Sequence, residues 1–240
     1  MKEKITFVIP AAGSSKRFGK VDKVFYKLKK NVTIIDKTIN NIAEFAKKII
    51  IVLNKGNYNK GKLYFSKNKF NKKIIFIKQS RKKGTAIAVR DALKYVDSKI
   101  VGVIWADQIG LTRKTIKYSL NKTLNKKFDM FVPINKSNDC YTNVILNKKN
   151  NIIEIKNNSN SYKINKKGIN DCGFFLFSKK KISKILEKNI TNKKFLNFKL
   201  EYDFINIFKN LKPIKSIAFL SKEKKEIIGI NYLRDLKKIK

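Results

Sequence analysis

Histidine is absent from all 240 residues. That excludes every chemistry built on imidazole, from Ser-His-Asp hydrolysis to histidine general bases. Cysteine is nearly absent too: Cys140 and Cys172 are too few and too distant for a disulfide framework and fit a reducing compartment. Without histidine beside them, they leave a zinc site short of soft ligands. No apolar run approaches the roughly 18–20 residues of a membrane span. The run Ile5–Ile9 is short and broken by Pro10, which does not suit a secretory signal. A cytoplasmic protein without membrane association is expected.

Acidic residues are scarce as well, 17 against 57 Lys+Arg, for a net charge of +40. Concentrated in one stripe or tail, such a charge would point to nucleic acid. Here the lysines run through the whole chain, interleaved with asparagine and isoleucine. All three residue types have A/T-rich codons, so a biased genome accounts for them. There is no helix-turn-helix, RNP-type sequence or basic tail. No dedicated nucleic-acid binding is expected, although the field favours anionic substrates.

Hydrophobic residues make up 42% of the chain, enough for a sizeable core in one domain. The first half alternates strands and helices. Strands are expected at Ile5–Ile9, Lys48–Leu53, Ile74–Ile77 and Ile100–Trp105. Between them, Thr33 is placed to cap a helix carrying Ile35, Ile39, Ile42 and Phe45, and Gly84–Val96 reads as a second helix. The polar stretch Asn54–Gly61 reads as a loop. The second half is expected to hold shorter strands near Phe128–Ile134, Tyr141–Leu146, Ile152–Lys156 and Gly173–Phe177. Helices through Ile182–Leu186 and Phe204–Leu211, a strand at Ile214–Leu220 and a terminal helix opened by Asn231 complete it. The order argues for an α/β fold: a doubly wound, mostly parallel Rossmann-like sheet with a mixed β extension. Residues 1–240 read as one domain, with 1–127 as a nucleotide-binding half and 128–240 as an acceptor-binding half with a closing helix.

The segment Pro10-Ala11-Ala12-Gly13-Ser14-Ser15-Lys16-Arg17-Phe18 leaves the first strand. Small residues let a ligand lie on the main chain, and two cations follow where anionic oxygens would sit. This suits a phosphate cradle, and equally a plain small-residue turn with solvated cations. It has neither the Walker nor the Gly-x-Gly-x-x-Gly spacing. Asp107 follows an apolar strand and projects at the same sheet edge, as a metal ligand or as a cap for the next helix. Thr112 is better placed for that cap. Gln79 and Gly84-Thr85 read on their own as a polar strand end and a helix start, and Asn231 as an N-cap.

Taken together, these segments resemble the nucleotidyltransferases that make nucleotide sugars, a sugar-phosphate nucleotidyltransferase family. Their opening pattern is Leu-Ala-Ala-Gly-x-Gly-x-Arg-Met, followed by Pro-Lys; here Ser15 stands for the second glycine, Asp22 for the proline, and Lys23 for the lysine. Trp105–Leu111 is similar to the segment whose aspartate binds magnesium. Gln79 and Gly84 keep the spacing between the base-reading glutamine and the Gly-Thr that opens the next helix. Glu226-Ile227-Ile228-Gly229-Ile230-Asn231 resembles the closing segment whose asparagine is the second metal ligand. The chain is most similar to the uridylyltransferase domain of N-acetylglucosamine-1-phosphate uridylyltransferases; ending at Lys240, it is expected to lack their acetyltransferase activity.

The resemblance implies a nucleotide-diphospho-sugar transferase fold and a Mg²⁺-dependent enzyme joining an NTP to a phosphorylated small molecule, with release of pyrophosphate. UTP, dTTP or CTP is implied, because a carboxamide such as Gln79 donates and accepts at once. It assigns Arg17 and Lys23 to phosphates, and Pro10, Ala11, Ala12, Gly13, Gln79, Gly84 and Thr85 to the nucleotide. Asp107 and Asn231 are assigned to Mg²⁺, and Thr142, Glu154 and Asp171 to the acceptor. Around the acceptor the chain departs from the pattern. Tyr141-Thr142-Asn143 replaces Tyr-Gly-Arg, Asp171-Cys172-Gly173 replaces Asn-Thr-Gly, and Asn206 replaces an aspartate. N-Acetylglucosamine 1-phosphate is therefore not expected to be the preferred acceptor, unless an alignment offset by one residue puts Asn170 in the asparagine's place. The alternatives are a cytidylyltransferase for a non-sugar alcohol phosphate and a non-catalytic nucleotide- or nucleic-acid-binding protein.

Overall fold

A computed structural model describes residues 4–13, 15, 18, 22–66, 68–80, 83–125, 129–157, 167–193, 196–197, 200–210 and 215–239. The first half contains β1 (Ile5–Pro10), β2 (Lys27–Lys29), β3 (Val32–Thr33), α1 (Ile34–Ile42), β4 (Ala46–Leu53) and α2 (Tyr58–Ser66). β5 (Ile74–Lys78), α3 (Thr85–Leu93), β6 (Ile100–Ile104) and α4 (Arg113–Asn125) follow. The second half contains β7 (Met130–Ser137), β8 (Thr142–Leu146), β9 (Ile152–Asn157), β10 (Gly168–Asp171), β11 (Phe174–Ser178), α5 (Lys179–Thr191) and β12 (Ser216–Leu220).

Among the described residues, eight strands form one sheet in the order β10-β7-β11-β6-β1-β4-β5, with β12 added on β7. β5, β4, β1 and β6 are mutually parallel. β11 is antiparallel to both β6 and β7, and β12 runs parallel to β7. This is the mostly parallel sheet with a mixed extension that the order of elements in the sequence leads one to expect. The parallel strands are near-continuous apolar runs because both their faces are covered. In β1, Val8 packs on one side with α3 and α5, while Phe7 and Ile9 pack on the other with α1 and α4.

Local chemistry sets the first crossover. The Thr33 hydroxyl accepts from Asp36 N–H at 3.3 Å, and the Asp36 carboxylate accepts from Thr33 N–H at 2.9 Å. This capping box starts α1, whose Ile35, Ile39 and Ile42 are fully buried. Thr112 caps α4 from one side only, its hydroxyl accepting from Thr115 N–H at 3.3 Å.

The short strands β2, β3 and β10 were not expected from the sequence, and three further stretches differ from the expectation. α2 occupies part of the segment read as a loop, because only Gly61 and Phe65 are buried on it and no apolar stripe announces it. Gly61 faces Leu53 so closely that an added Cβ would lie 2.4 Å from its Cδ1, so the glycine permits packing rather than marking a turn. The segments after Tyr202 and Tyr232 form 3₁₀ turns, Phe204–Asn210 and Leu233–Ile239, in place of α-helices. Among the described residues no helix is long and apolar enough to cross a membrane.

Candidate active site

β1 and β6 lie side by side, and the chain departs from them to opposite flanks of the sheet. Their carboxyl ends therefore open a crevice at a topological switch point. The loop leaving β1 is anchored from below: Ala11 N–H donates to Val52 O at 2.8 Å, and the Asn54 carboxamide donates to Ala12 O at 3.2 Å. Above Gly13 there is open space, with nothing within 4 Å of where a Cβ would stand. Ser15, at the place of the family's second glycine, has φ of 53°. The backbone thus keeps the left-handed conformation that glycine normally supplies. In exchange, the Ser15 hydroxyl accepts from Lys23 N–H at 3.1 Å and steadies the far end of the loop. Phe18 is buried beneath it with Ile34, Ile109 and Ile230. Arg17 lies outside the described residues.

Lys23 reaches across the crevice, and its ammonium donates to Asp107 Oδ2. Each side chain keeps 18% of its exposure, so the pair faces the crevice without being fully solvated. The closing segment runs antiparallel to the stretch after β6. Ile230 N–H donates to Asp107 O at 3.1 Å, Gly110 N–H to Ile228 O at 3.2 Å, and Gln108 bridges Gly229. Asn231 follows immediately. The Asp235 carboxylate accepts from Asn231 N–H at 2.9 Å and from Tyr232 N–H at 2.8 Å, so capping the last turn falls to Asp235. Lys23, Asp107 and Asn231, far apart in sequence, thus converge on one sheet edge.

Gln79 directly follows β5, and its carboxamide donates to Gly84 O at 2.9 Å. Gly84 has φ of 115°, and a Cβ there would lie 2.1 Å from Tyr202 O. The Thr85 hydroxyl accepts from Phe204 N–H at 2.8 Å and donates to Asp203 at 3.4 Å. Gln79, Gly84 and Thr85 are therefore together, but Thr85 is turned toward the Glu201–Phe204 segment.

Thr142 and Asp171 meet each other in the wall formed by β8 and β10. The Thr142 hydroxyl donates to Asp171 Oδ2 at 2.6 Å, and Gly173 N–H donates to its other oxygen at 2.8 Å. Asn170 Oδ1 accepts from Thr142 N–H at 3.0 Å. Burial, with a smaller contribution from the charge of Asp203, pushes the Asp171 carboxyl above its ordinary pKa. Glu154 stands in the β8–β9 hairpin, partly exposed, with the Lys156 ammonium at 4.0 Å.

The crevice, the small-residue loop and the strand-end carboxylate lie within one stretch of the chain, and residues 7–182 match the MobA-like NTP transferase domain. The chain belongs to that family. No curated protein matches its sequence. Among solved structures, it is similar to a UDP-glucose pyrophosphorylase complexed with UDP-glucose, at 13% identity and a TM-score of 0.73 over 98% of each chain. It is also similar to the inositol-1-phosphate CTP transferase of T. maritima, at 14% identity and a TM-score of 0.69 over 97% of this chain and 91% of that one. A third is HddC from Yersinia pseudotuberculosis complexed with GMP-PN, at 20% identity and a TM-score of 0.67 over 98% and 97% of the two chains. At these identities the likeness is one of fold.

In this MobA-like domain the donor set fits a hard divalent cation. Asp107 and Asn231 bring one carboxylate and one carboxamide oxygen, and Mg²⁺ needs only one or two protein oxygens when phosphates supply others. The Asp107 carboxylate is oriented toward the crevice, where its Oδ2 pairs with the Lys23 ammonium. Among the described residues there is no group of three or more Asp, Glu or Cys that could hold a metal ion by itself. Two contributors have no signature in the sequence. Asn54 supports the loop from just past β4, and Glu226, the first residue of the closing segment, is buried against the start of α4. Both act through contacts that no local pattern encodes.

Proposed function

We propose that this protein is a Mg²⁺-dependent nucleotidyltransferase that joins UTP, dTTP or CTP to a sugar 1-phosphate, releasing pyrophosphate and giving a nucleotide sugar in the cytoplasm. The observation that carries the reading is the meeting of Lys23 and Asp107 at the carboxyl ends of β1 and β6, with Lys23 tied through Ser15 to the loop whose Gly13 faces open space.

The acceptor is already an anionic phosphate, so the transfer needs no protein nucleophile or general base. One of its oxygens bonds to the α-phosphorus as the bond to the β-phosphate oxygen breaks. The work of the chain is positioning and charge neutralisation. The loop from Pro10 to Gly13 carries the triphosphate, with Lys23 on phosphates near the reacting centre and Arg17 on the departing pyrophosphate. Gln79 orients the base beside Gly84-Thr85. Thr142, Glu154 and Asp171 form the acceptor side, with Asp171 acting through the hydroxyl of Thr142. Asp107 and Asn231 would hold Mg²⁺, which when bound neutralises charge on the phosphates.

A second reading is a cytidylyltransferase for an alcohol phosphate. It is favoured by the Thr142–Asp171 pair, which fills the wall where the resemblance leads one to expect an open backbone glycine and an asparagine. One grid decides: pyrophosphate release with four NTPs, a panel of sugar and alcohol phosphates, and Mg²⁺ present or absent. Transfer from a pyrimidine nucleotide that stops without Mg²⁺ is expected. Release equal to background throughout would end both readings, and a preference for GTP would end the pyrimidine assignment.

A further inference from the structure

Glu226 is completely buried, and none of the ion pairs among the described residues includes it. In a chain of net charge +40, that is an unusual place for one of only 17 acidic residues. A buried carboxylate is costly unless its lone pairs are filled by donors. Here they are filled by one amide and three hydroxyls. Oε1 accepts from Thr112 N–H at 2.9 Å and from the Thr112 hydroxyl. Oε2 accepts from the Thr115 hydroxyl at 2.8 Å and from the Ser221 hydroxyl. The backbone oxygen of Glu226 accepts from the Gln108 carboxamide at 2.6 Å.

These partners belong to the start of α4, the end of β12 and the loop leaving β6. Glu226 therefore fastens the closing segment to the stretch that carries Asp107. The fastening continues through Gly110 to Ile228, Gln108 to Gly229 and Ile230 to Asp107, and ends at Asn231. The fit is close: a Cβ on Gly110 would lie 1.9 Å from Lys225 O, and one on Gly229 3.2 Å from the Gln108 side-chain oxygen. Nothing in the side chain of Glu226 reaches the crevice, since all four of its acceptor positions are taken beneath it.

We infer that Glu226 is a positioning residue that sets the spacing between Asp107 and Asn231, and so the affinity of the site for a divalent cation. The inference rests on the proposed nucleotidyltransferase reading. Groups behind a ligand that hold it in place commonly change metal affinity by about 10–100-fold when removed. Glutamine keeps the shape: its oxygen accepts from Thr112, and its NH₂ donates to the Thr115 and Ser221 hydroxyls, which reverse their own direction.

The test uses the full chain and Mn²⁺ as a spectroscopic probe, titrated under EPR with and without a non-hydrolysable UTP analogue, with melting temperature recorded alongside. Glu226→Ala is expected to weaken Mn²⁺ binding at least about tenfold. Leu186→Ala, on the buried face of α5, serves as a control: it is expected to lower the melting temperature without moving the Mn²⁺ curve. Glu226→Gln should return affinity close to wild type. Should Glu226→Ala fail to fold, Thr115→Val removes one of the four donors and is expected to shift the curve in the same direction by less. Equal Mn²⁺ curves for Glu226→Ala and Leu186→Ala overturn the inference. So does a Gln variant no better than Ala, or an unmoved Thr115→Val. If wild type binds no Mn²⁺ and Asp107→Ala changes nothing, the metal reading itself falls and this inference with it, a result distinct from the others.

Discussion

On the parallel flank, β1 and β6 deliver Gly13, Lys23 and Asp107 from loops that leave fully buried strands; on the antiparallel flank, Thr142 and Asp171 are held by each other inside the wall. The first group keeps its polar atoms at the crevice. The second spends them on internal bonds. The difference follows from topology. Parallel strands carry their connections out past the carboxyl ends, so whatever follows the strand reaches solvent. In the β8–β10 wall, residues sit within or beside ladders, and a polar side chain there must find a partner among its neighbours. The flanks are sewn together where Gly84-Thr85 meets Tyr202–Phe204, and where the closing segment crosses to Asp107.

The sharpest way to separate the flanks is Asp107→Ala. Turnover is expected to fall by about 10²–10³-fold or more, from loss of charge positioning at the phosphates. The melting temperature should stay near wild type, since a partly exposed ion pair is worth about 1 kcal/mol or less. Pyrophosphate release and a thermal melt check both halves of this prediction; substantial residual turnover would remove Asp107 from the site.

Two glycines test the seam against the cradle. Gly84→Ala places a Cβ against Tyr202 backbone at φ of 115°, and should destabilise the fold by about 2–4 kcal/mol in urea unfolding. Gly13→Ala meets only open space, so stability should change by less than about 1 kcal/mol while nucleotide affinity drops. If the two variants unfold alike, the contrast between them is wrong.

Gln79→Ala is expected to raise KM for the preferred pyrimidine nucleotide about tenfold, the equivalent of ~1.4 kcal/mol. The same substitution should leave the weaker ATP and GTP rates nearly unchanged. A uniform loss across all four would make Gln79 a support for Gly84, whose carbonyl it binds, and not a reader of the base.

The smallest effect is expected at Asp171→Asn. Burial raises this carboxyl's pKa above that of the unfolded chain, so the folded state takes up a proton more readily and the ionised form is the costly one. The sign is therefore a gain for Asn at neutral pH, fading as pH falls through the folded pKa and wild-type Asp171 becomes neutral. A rise of about 2–4 °C would correspond to roughly 1 kcal/mol in a chain of this size. A melt that drops at neutral pH would reverse the assignment. Turnover with N-acetylglucosamine 1-phosphate, compared between the two proteins, reports whether Asp171 is what disfavours that acceptor.

The parts of the fold legible in advance were those whose cause lies within a turn or two of chain. Runs such as Ile49–Leu53 read as buried parallel strands, and Thr33 with Ile35, Ile39 and Ile42 read as a capped helix. Thr112 was readable as the cap of α4 for the same reason. α2 was not, because its few buried positions make no stripe. β10 escaped notice because four residues beside a bend carry too little pattern.

By itself, then, the sequence determined the alternation of strands and helices, the small-residue loop after β1 and a carboxylate at the end of β6. Each of these depends on neighbours along the chain, where hydrophobic period and turn chemistry act. Only the tertiary structure decided that Ser15 takes a glycine's conformation, and that Asp171 is buried against Thr142. It alone decided that Glu226 and Gln108, 118 positions apart, join the closing segment to the stretch that carries Asp107. These outcomes depend on which segments the closed sheet brings into contact, and a contact across such a separation has no local period to reveal it.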